Sequence, residues 1–140
     1  MTAMAHWLFK TEPSSWSWEQ QVATGEEGTD WTGVRNHTAK RNLQTMKTGE
    51  RGLFYHSGED KAVVGIVEVT KEYHPDPTDP TGRFGMVRLK AVRPLPRPVT
   101  LAEVKSEPRL REMELVKQAR LSVQPVSDEE WAIVCGMGGL

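Results

Sequence analysis

The amino-acid sequence predicts a mixed α/β fold of the α+β kind, in which a small β-barrel is flanked by short helices. Segments such as residues 62–70 are rich in β-branched residues, which is typical of strands. Three capping boxes, which begin at Ser17, Thr100 and Ser127, mark the starts of three helices. The chain has 140 residues and 37% of them are hydrophobic, so a single domain spanning residues 1–140 is expected to bury a core.

The first half of the chain is predicted to alternate strands with helices. Pro13 ends the first strand, and the pair Ser17 and Gln20 caps the helix that follows. Gly25 is a typical helix stop, and Leu43 lies three residues before Met46 on the inward face of a second helix. The predicted elements are a strand at 6–10, a helix at 17–23, a loop at 28–36, a helix at 37–46, a strand at 51–56, a hairpin turn at 57–60 and a strand at 62–70.

The second half is predicted to contain one more strand and several short helices. Polar and apolar residues alternate over 84–92, which indicates a strand with one wet face. The prolines at 94, 96 and 98 are predicted to break the chain after it. The remaining predictions are a proline-rich loop at 74–82, a helix from Thr100, a helical turn at 108–113 and a last helix that begins at Ser127 and includes Trp131 and Val134.

Composition restricts the classes of function. The net charge is −1, so any contact with nucleic acid has to come from a local basic patch. Cys135 is the only cysteine, which excludes an internal disulfide and a cysteine-based zinc cluster. No apolar stretch reaches 18 residues, and the N-terminus lacks the pattern of a secretory signal, so no membrane association is expected. The expected location is the cytoplasm, with association with the nucleoid if the ligand is DNA.

Charge is segregated along the chain. Residues 35–51 contain five basic residues and one acid, Glu50, and residues 83–97 contain five basic residues and no acid. Two basic segments in a near-neutral protein are consistent with a phosphate-facing surface. A solvated helix face and a solvated strand face would produce the same pattern, and charge alone does not separate the two interpretations.

The motifs of common enzyme classes are missing. The four histidines lack the spacing of a metal site, and the chain has neither a glycine-rich phosphate loop nor a Gly-x-Ser-x-Gly elbow. His56 and Ser57 are neighbours, and neighbours on a strand point to opposite faces, so they are unsuited to act as a base and a nucleophile. The sequence therefore favours a binding module over an enzyme, with no metal and no cofactor.

Five segments together point to a known family. They are Trp7-Leu8-Phe9-Lys10-Thr11-Glu12-Pro13, Trp31-Thr32-Gly33-Val34-Arg35-Asn36, Phe54-Tyr55-His56-Ser57, Val64-Gly65-Ile66-Val67-Glu68-Val69 and Leu121-Ser122-Val123-Gln124-Pro125-Val126. In this order they resemble the EVE domain family over nearly the whole chain. That family belongs to the PUA-like superfold with YTH, ASCH and PUA modules, so the resemblance implies a twisted PUA-like β-barrel. It also implies recognition of a nucleic-acid base, including modified cytosines. The family usually has Ser where this chain has Thr11.

The residue types in these segments suit the recognition of a flat base with a polar edge. Trp31 is the expected stacking platform, although a loop tryptophan can also plug the mouth of a barrel. Asn36 offers a donor and an acceptor to a base edge, or it caps the helix at His37. Tyr55 or His56, whichever faces inward, is expected to line the pocket. The other four tryptophans, at 7, 16, 18 and 131, are assigned to the core or to the seams between helices and barrel.

The predicted site combines a base pocket with a phosphate-binding mouth. The predicted ligand-binding residues are Lys10, Thr11, Trp31, Gly33, Val34, Asn36, Tyr55, His56, Ser57, Gln124 and Pro125, and the predicted phosphate-binding residues are Arg35, Lys40 and Arg41.

Three functions are consistent with these features. The first is a non-catalytic module that binds a flipped or unpaired, modified base in DNA or RNA. The second is an enzyme that acts on a nucleotide or nucleic acid, and the third is a protein-interaction module with a vestigial pocket.

Overall fold

The computed structural model describes residues 4–140, which form one six-stranded mixed sheet with helices on both faces. The order of the strands across the sheet is β2-β5-β4-β3-β1-β6. All neighbouring strands are antiparallel except β1 and β3, which are parallel and are joined by a crossover that contains two helices. The strands are β1 (His6–Thr11), β2 (Thr29–Asp30), β3 (Arg51–His56), β4 (Ala62–Pro75), β5 (Gly85–Thr100) and β6 (Val123–Val126).

The expected closed β-barrel is wrong, because the sheet is open over residues 4–140. Its two edge strands, β2 and β6, contain two and four residues and are not paired with each other. Closure needs a continuous ladder between the edges, and neither edge strand is long enough to provide one. Pro125 also removes a backbone donor from β6.

All three capping boxes are confirmed. The side-chain oxygens of Ser17, Thr100 and Ser127 each accept a hydrogen bond from the backbone N–H three residues later, at 3.1–3.2 Å. The side-chain oxygen of the Gln or Glu at that third position accepts a hydrogen bond from the backbone N–H of the capping residue. The helices are α1 (Trp18–Ala23), α2 (His37–Thr45), α3 (Leu101–Ser106), α4 (Glu114–Lys117) and α5 (Asp128–Met137), with single 3₁₀ turns at Gly25–Glu27 and Pro108–Leu110.

The predicted break at Pro94, Pro96 and Pro98 is wrong, because β5 continues through all three to Thr100. The only neighbour of β5 on its outer side is β2, which pairs with Arg88 and Leu89 alone. Beyond those residues, β5 is an edge strand on one side. Val63 pairs with Val99 and Gly65 with Pro94, so residues 95–98 form an irregular stretch without partners in β4, and the missing donors of Pro96 and Pro98 break no ladder bond.

The sheet separates two groups of buried side chains. One face packs Trp7, Phe9 and Phe54 against α2. The other face packs Leu8, Leu53 and other aliphatic residues against α3, α4 and α5. Alternate residues of β1 and β3 therefore belong to different halves of the core, which decides where each predicted site residue points. No helix within residues 4–140 is both long enough and apolar enough to cross a membrane.

Candidate nucleic-acid interface

A cleft of about 640 Å³ lies where β1 ends. Its walls come from the end of β1, the connection to α1, the segment that runs from β2 to α2, and one residue of β5. The volume is within the range of about 300–1,000 Å³ that is typical of small-molecule sites. The lining residues are Lys10, Thr11, Ser15, Trp16, Gly28, Thr29, Asp30, Trp31, Thr32, Gly33, Val34, Arg35, Asn36, Arg88 and Ser122.

Trp31 forms a buried part of the cleft wall. It is 8% exposed, and its ring meets Phe9 and Phe54 edge-on, with centroid distances of 5.5 and 5.8 Å. Edge-to-face contacts of this kind fix the orientation of the ring. The accessible part of Trp31 is consequently small, and the side chain supports both the core and the cleft.

Trp16 provides a second and more accessible indole. Its N–H donates to the side-chain oxygen of Gln21 at 2.9 Å, and its carbonyl accepts from the Thr11 hydroxyl at 2.9 Å. Trp16 was predicted to lie in the core or at a seam, and its place in the cleft wall was missed. The available signal was its position on the connection that leaves the end of β1, five residues after Thr11.

Asp30 places a carboxylate in the cleft wall. Its Oδ1 lies 3.3 Å from Nε2 of His74 and 3.4 Å from Nε of Arg88. Neither contact is aligned as a hydrogen bond, and Oδ1 is shielded from solvent. Asp30 and Arg88 were both missed from sequence, because β2 and β5 bring them together from positions 58 residues apart.

The loop between β4 and β5 holds the segment 33–35 in place. Gly33 has φ +84°, a left-handed conformation that favours glycine, and its N–H donates to Asp76 at 2.9 Å. Arg35 donates to Asp76 at 3.2 Å and to the Thr78 hydroxyl at 3.1 Å. Burial of Asp76 would raise its pKa, but hydrogen bonds from Thr78, Gly33 and Arg35 outweigh this effect and lower it.

Asn36 lines the cleft and also caps α2. Its side-chain oxygen accepts from the N–H of Ala39 at 2.9 Å, so the capping interpretation is confirmed. Because that oxygen is engaged, the side chain offers a ligand mainly its amide N–H groups, and the bidentate reading of a base edge is weakened. Val34, another predicted site residue, is 5% exposed at the same wall.

Several predicted site residues lie outside this cleft. Tyr55 and Ser57 line a second cleft, and Lys10 is shared by the two. His56 faces α1, where its Nε2 accepts from the N–H of Trp18 at 2.9 Å. Tyr55 and His56 are adjacent on β3 and point to opposite faces of the sheet, as expected, but neither of them lines the first cleft.

The remaining predicted residues have structural contacts or face solvent. Gln124 is fully buried and donates to the carbonyls of Leu121 and Gln118 at 2.9 and 3.2 Å. Pro125 is exposed on β6. In α2, Arg41 is exposed, whereas the Nζ of Lys40 lies 5.5 Å from the centre of the Phe84 ring. Their roles in binding stay predictions.

The described part of the chain contains no group of three His, Cys, Asp or Glu side chains placed to hold a metal ion. The cleft's charged residues are Lys10, Arg35 and Arg88 against the single carboxylate of Asp30. The wall is therefore positively charged on balance, with aromatic surface beside it. An anionic ligand that contains a flat ring suits both features.

Comparison with known proteins identifies the family. The family model described as the EVE domain matches residues 5–137. The chain belongs to the EVE domain family. Human thymocyte nuclear protein 1 is 33% identical to it over an alignment that covers 95% of this chain and 73% of the human protein.

Solved structures of EVE proteins share this fold. A protein from Rhodopseudomonas palustris is 58% identical, with a TM-score of 0.92 over 97% of this chain and 94% of that one. The human THYN1 protein, solved in complex with DNA that contains 5-methylcytosine, is 32% identical. Its TM-score is 0.91 over 97% of this chain and 98% of the human chain.

Proposed function

We propose that this EVE protein binds nucleic acid and holds one flipped or unpaired base, a modified cytosine, in the cleft at the end of β1. The observation that carries the proposal is the pair of indoles, Trp16 and Trp31, in the wall of a base-sized, positively charged cleft. The human THYN1 complex supports DNA that contains 5-methylcytosine as the ligand class.

The aromatic wall supplies sequence-independent affinity. Stacking of a base on an aromatic side chain contributes about 1–3 kcal/mol. Trp16 is the more accessible of the two rings, and Trp31 is braced by Phe9 and Phe54. We therefore assign stacking to Trp16 and contact with the edge or methyl group of the base to the small accessible part of Trp31.

The Asp30 carboxylate supplies preference for cytosine. The exocyclic amino group of cytosine is a donor, and Asp and Glu are its usual acceptors. Asp30 lines the cleft, and its second oxygen, Oδ2, makes no hydrogen bond with any residue between 4 and 140. Arg88 and His74 hold the first oxygen and so fix the direction of the second.

A paired base cannot reach such a cleft, because its faces are covered in the stack. Flipping costs a few kcal/mol, and stacking and edge hydrogen bonds have to offset that cost. A methyl group adds only about 0.8 kcal/mol of burial. The preference for a methylated over a plain cytosine is therefore several-fold, and a single strand binds more tightly than a perfect duplex.

The proposal is tested with four matched oligonucleotides that carry one central cytosine, methylated or plain, as single strand and as duplex. Fluorescence anisotropy is measured with native protein, Trp16→Ala and Trp31→Phe, which retains most of the core volume. Trp131→Phe is the control, because Trp131 stacks on His6 with centroids 4.2 Å apart and lines neither cleft. If Trp16→Ala and Trp31→Phe bind each of the four oligonucleotides as tightly as native protein does, the proposal is contradicted.

We also propose that binding occurs without turnover. The cleft holds one carboxylate, that of Asp30, which already lies in contact with Arg88 and His74. Methylated nucleosides and oligonucleotides incubated with the protein are expected to be recovered intact, as measured by mass spectrometry. Conversion that disappears in Asp30→Asn would establish an enzyme instead.

A further inference from the structure

A second cleft, of about 240 Å³, lies on the other face of the sheet at the same end of β1 and β3. Its floor includes Tyr55, which neighbours Lys10 across the parallel β1–β3 pair. Its walls are largely apolar and come from α3, α4 and the hairpin turn. The lining residues are Lys10, Tyr55, Ser57, Gly58, Lys61, Leu101, Lys105, Leu115, Val116 and Ala119.

Three lysines surround this cleft without acidic partners. Within residues 4–140, no carboxylate lies within ion-pair distance of Lys10, Lys61 or Lys105. The Nζ of Lys10 is anchored instead by the carbonyl of Ala119 at 2.8 Å. Asp60, next to Lys61 in the sequence, pairs with His56 at 3.1 Å, and the carboxylate of Glu12, which lies against Gly58, is outnumbered by the three lysines. The cleft therefore has a local positive charge that the neutral overall composition conceals.

Tyr55 adds a buried donor. The residue is 3% exposed, and its hydroxyl makes no hydrogen bond with another residue of the described chain, although it belongs to the cleft lining. Burial raises the pKa of Tyr55, which keeps the hydroxyl protonated near neutral pH. The hydroxyl reaches the open space of the cleft, so it is free to donate to a ligand that accepts a hydrogen bond.

We propose that this second cleft binds a backbone phosphate of the nucleic-acid strand whose base occupies the first cleft. Lys61, Lys105 and the Tyr55 hydroxyl bind the phosphate oxygens. The apolar side chains of Leu101 and Val116 contact the attached sugar. This inference rests on the proposed function and extends it to the nucleotide that flanks the recognised base.

The position of Lys10 favours a continuous strand over a separate anion. Lys10 lines both clefts, so a chain that leaves the first cleft at the end of β1 passes directly over it into the second. The charge also selects the class of partner, because three uncompensated ammonium groups attract phosphates that repeat along a strand.

The test compares two ligands of native protein and a Lys61→Ala/Lys105→Ala variant. The mononucleotide of 5-methylcytosine reports on the first cleft alone, and a nine-nucleotide single strand with that base at its centre reports on both clefts. The variant is expected to bind the nine-mer about tenfold more weakly at low salt, with a salt slope reduced by about 0.7, because one phosphate contact is lost. Its affinity for the mononucleotide is expected to be unchanged.

One control variant and one further test variant accompany the double variant. Lys71→Ala removes an exposed lysine that lines neither cleft, and it is expected to behave as native protein. Tyr55→Phe removes only the hydroxyl, and it is expected to weaken the nine-mer while leaving the mononucleotide unaffected. Circular dichroism confirms that each variant is folded.

The outcomes separate this inference from the proposed function. If the double variant keeps the native affinity and salt slope for the nine-mer, the proposed phosphate site in the second cleft is wrong. Base binding in the first cleft is not affected by that result. An equal loss for the mononucleotide and the nine-mer also overturns it, because the lysines then act on the first cleft. Failure of native protein to bind either ligand overturns the proposed function itself.

Discussion

The indole N–H of Trp16 donates a 2.9 Å hydrogen bond to the side-chain oxygen of Gln21. The amide nitrogen of the same glutamine donates to the carbonyl of Leu89 at 2.9 Å. Gln21 has no exposed surface, so this polar bridge lies within the packing between α1 and β5. It ties the more accessible of the two indoles of the cleft to β5.

We predict that Gln21→Leu destabilises the protein and weakens base binding together. The substitution leaves the N–H of Trp16 without its acceptor and removes the donor from Gln21 to the carbonyl of Leu89, at a cost of about 1–3 kcal/mol. Urea denaturation measures the stability, and anisotropy with the single-stranded methylated oligonucleotide measures the affinity. Val22→Ala, at an exposed position of the same helix, is the control and should alter neither quantity. If Gln21→Leu is destabilised but keeps the native affinity for the oligonucleotide, base binding does not require the hydrogen bond between Trp16 and Gln21.

Two glycines are predicted to respond in opposite directions to alanine. A Cβ on Gly65 would lie 2.5 Å from the ring of Trp18, so Gly65→Ala must displace a packed indole. The expected loss is about 1–3 kcal/mol of unfolding free energy. Gly136 is in α5 and has open space at its Cβ position, so Gly136→Ala should stabilise by about 0.5–1 kcal/mol. Denaturation curves of both variants provide the check, and a shift of the same sign in both would contradict the packing argument.

The loop that holds Arg35 is predicted to weaken in acid. The hydroxyl of Thr81 and the backbone N–H groups of Thr81 and Phe84 lower the pKa of Asp79 to about 2. Because the folded-state pKa is depressed, Asp79 stabilises the folded loop above pH ~4, and this contribution is lost as the pH falls to about 2.

Asp79→Asn retains one acceptor oxygen and loses the charge. Its stability should lie below that of native protein at pH 6, and the difference should shrink between pH 4 and 2. Asp128→Asn, at an exposed carboxylate near His6, is the control. Carboxyl chemical shifts of Asp79 should show a midpoint well below 3.9, the usual value for Asp. A midpoint near that value would remove the basis of this prediction.

Local signals in the sequence were sufficient for the helix starts. The capping boxes at Ser17, Thr100 and Ser127 use side chains and N–H groups three residues apart, so no distant contact can alter them. The strands from Arg51 and Ala62 were predicted for a similar reason, since their buried residues follow a pattern readable along one segment.

The pairing of strands that are distant in sequence could not be predicted from local signals. Pro96 and Pro98 are tolerated in β5 because β4 does not pair with residues 95–98, and the sequence of β5 does not show this. β6 is four residues long and contains Pro125, so it is recognisable as a strand only through its pairing with β1. The same limit explains why the sheet was expected to close.

The site was predictable where it is continuous in sequence. Trp31, Gly33, Val34, Arg35 and Asn36 all line the cleft, as expected from one segment. Trp16, Arg88 and Ser122 reach it from three other places in the chain, and Asp30 was missed although it directly precedes Trp31. Tyr55 and Ser57 were separated from it by the alternation of β3.

Arg35→Ala is predicted to weaken binding to every oligonucleotide alike. Arg35 faces the cleft but is held by Asp76, so its loss removes one phosphate contact and also frees a carboxylate that repels the ligand. The salt slope for a single strand should fall by about 0.7, with the preference for methylated cytosine unchanged. Arg97→Ala is the control, since Arg97 pairs with Glu103 and lines neither cleft. An altered methylation preference would place Arg35 on the base instead of the phosphate.

The last prediction concerns how the cleft distinguishes cytosine from other bases. Asp30→Asn keeps the size of the side chain and replaces one acceptor oxygen with an N–H₂ donor. The amino group of cytosine then faces either a repelling donor or a single remaining acceptor that is held by Arg88 and His74. Each well-formed base contact is worth about 1–3 kcal/mol of discrimination, so the preference for cytosine over thymine should fall about tenfold or more.

The measurement compares nine-nucleotide single strands that differ only in the central base, which is cytosine, 5-methylcytosine or thymine. Native protein should prefer the two cytosines, and Asp30→Asn should bind all three with similar affinity or prefer thymine, whose O4 accepts from the new amide. Asp128→Asn provides the matched control, because Asp128 lies beside His6 and lines neither cleft. If Asp30→Asn keeps the native order of the three affinities, the Asp30 carboxylate does not read the base. The backbone groups of Thr32 and Gly33 then become the remaining candidates, because both residues lie in the same wall.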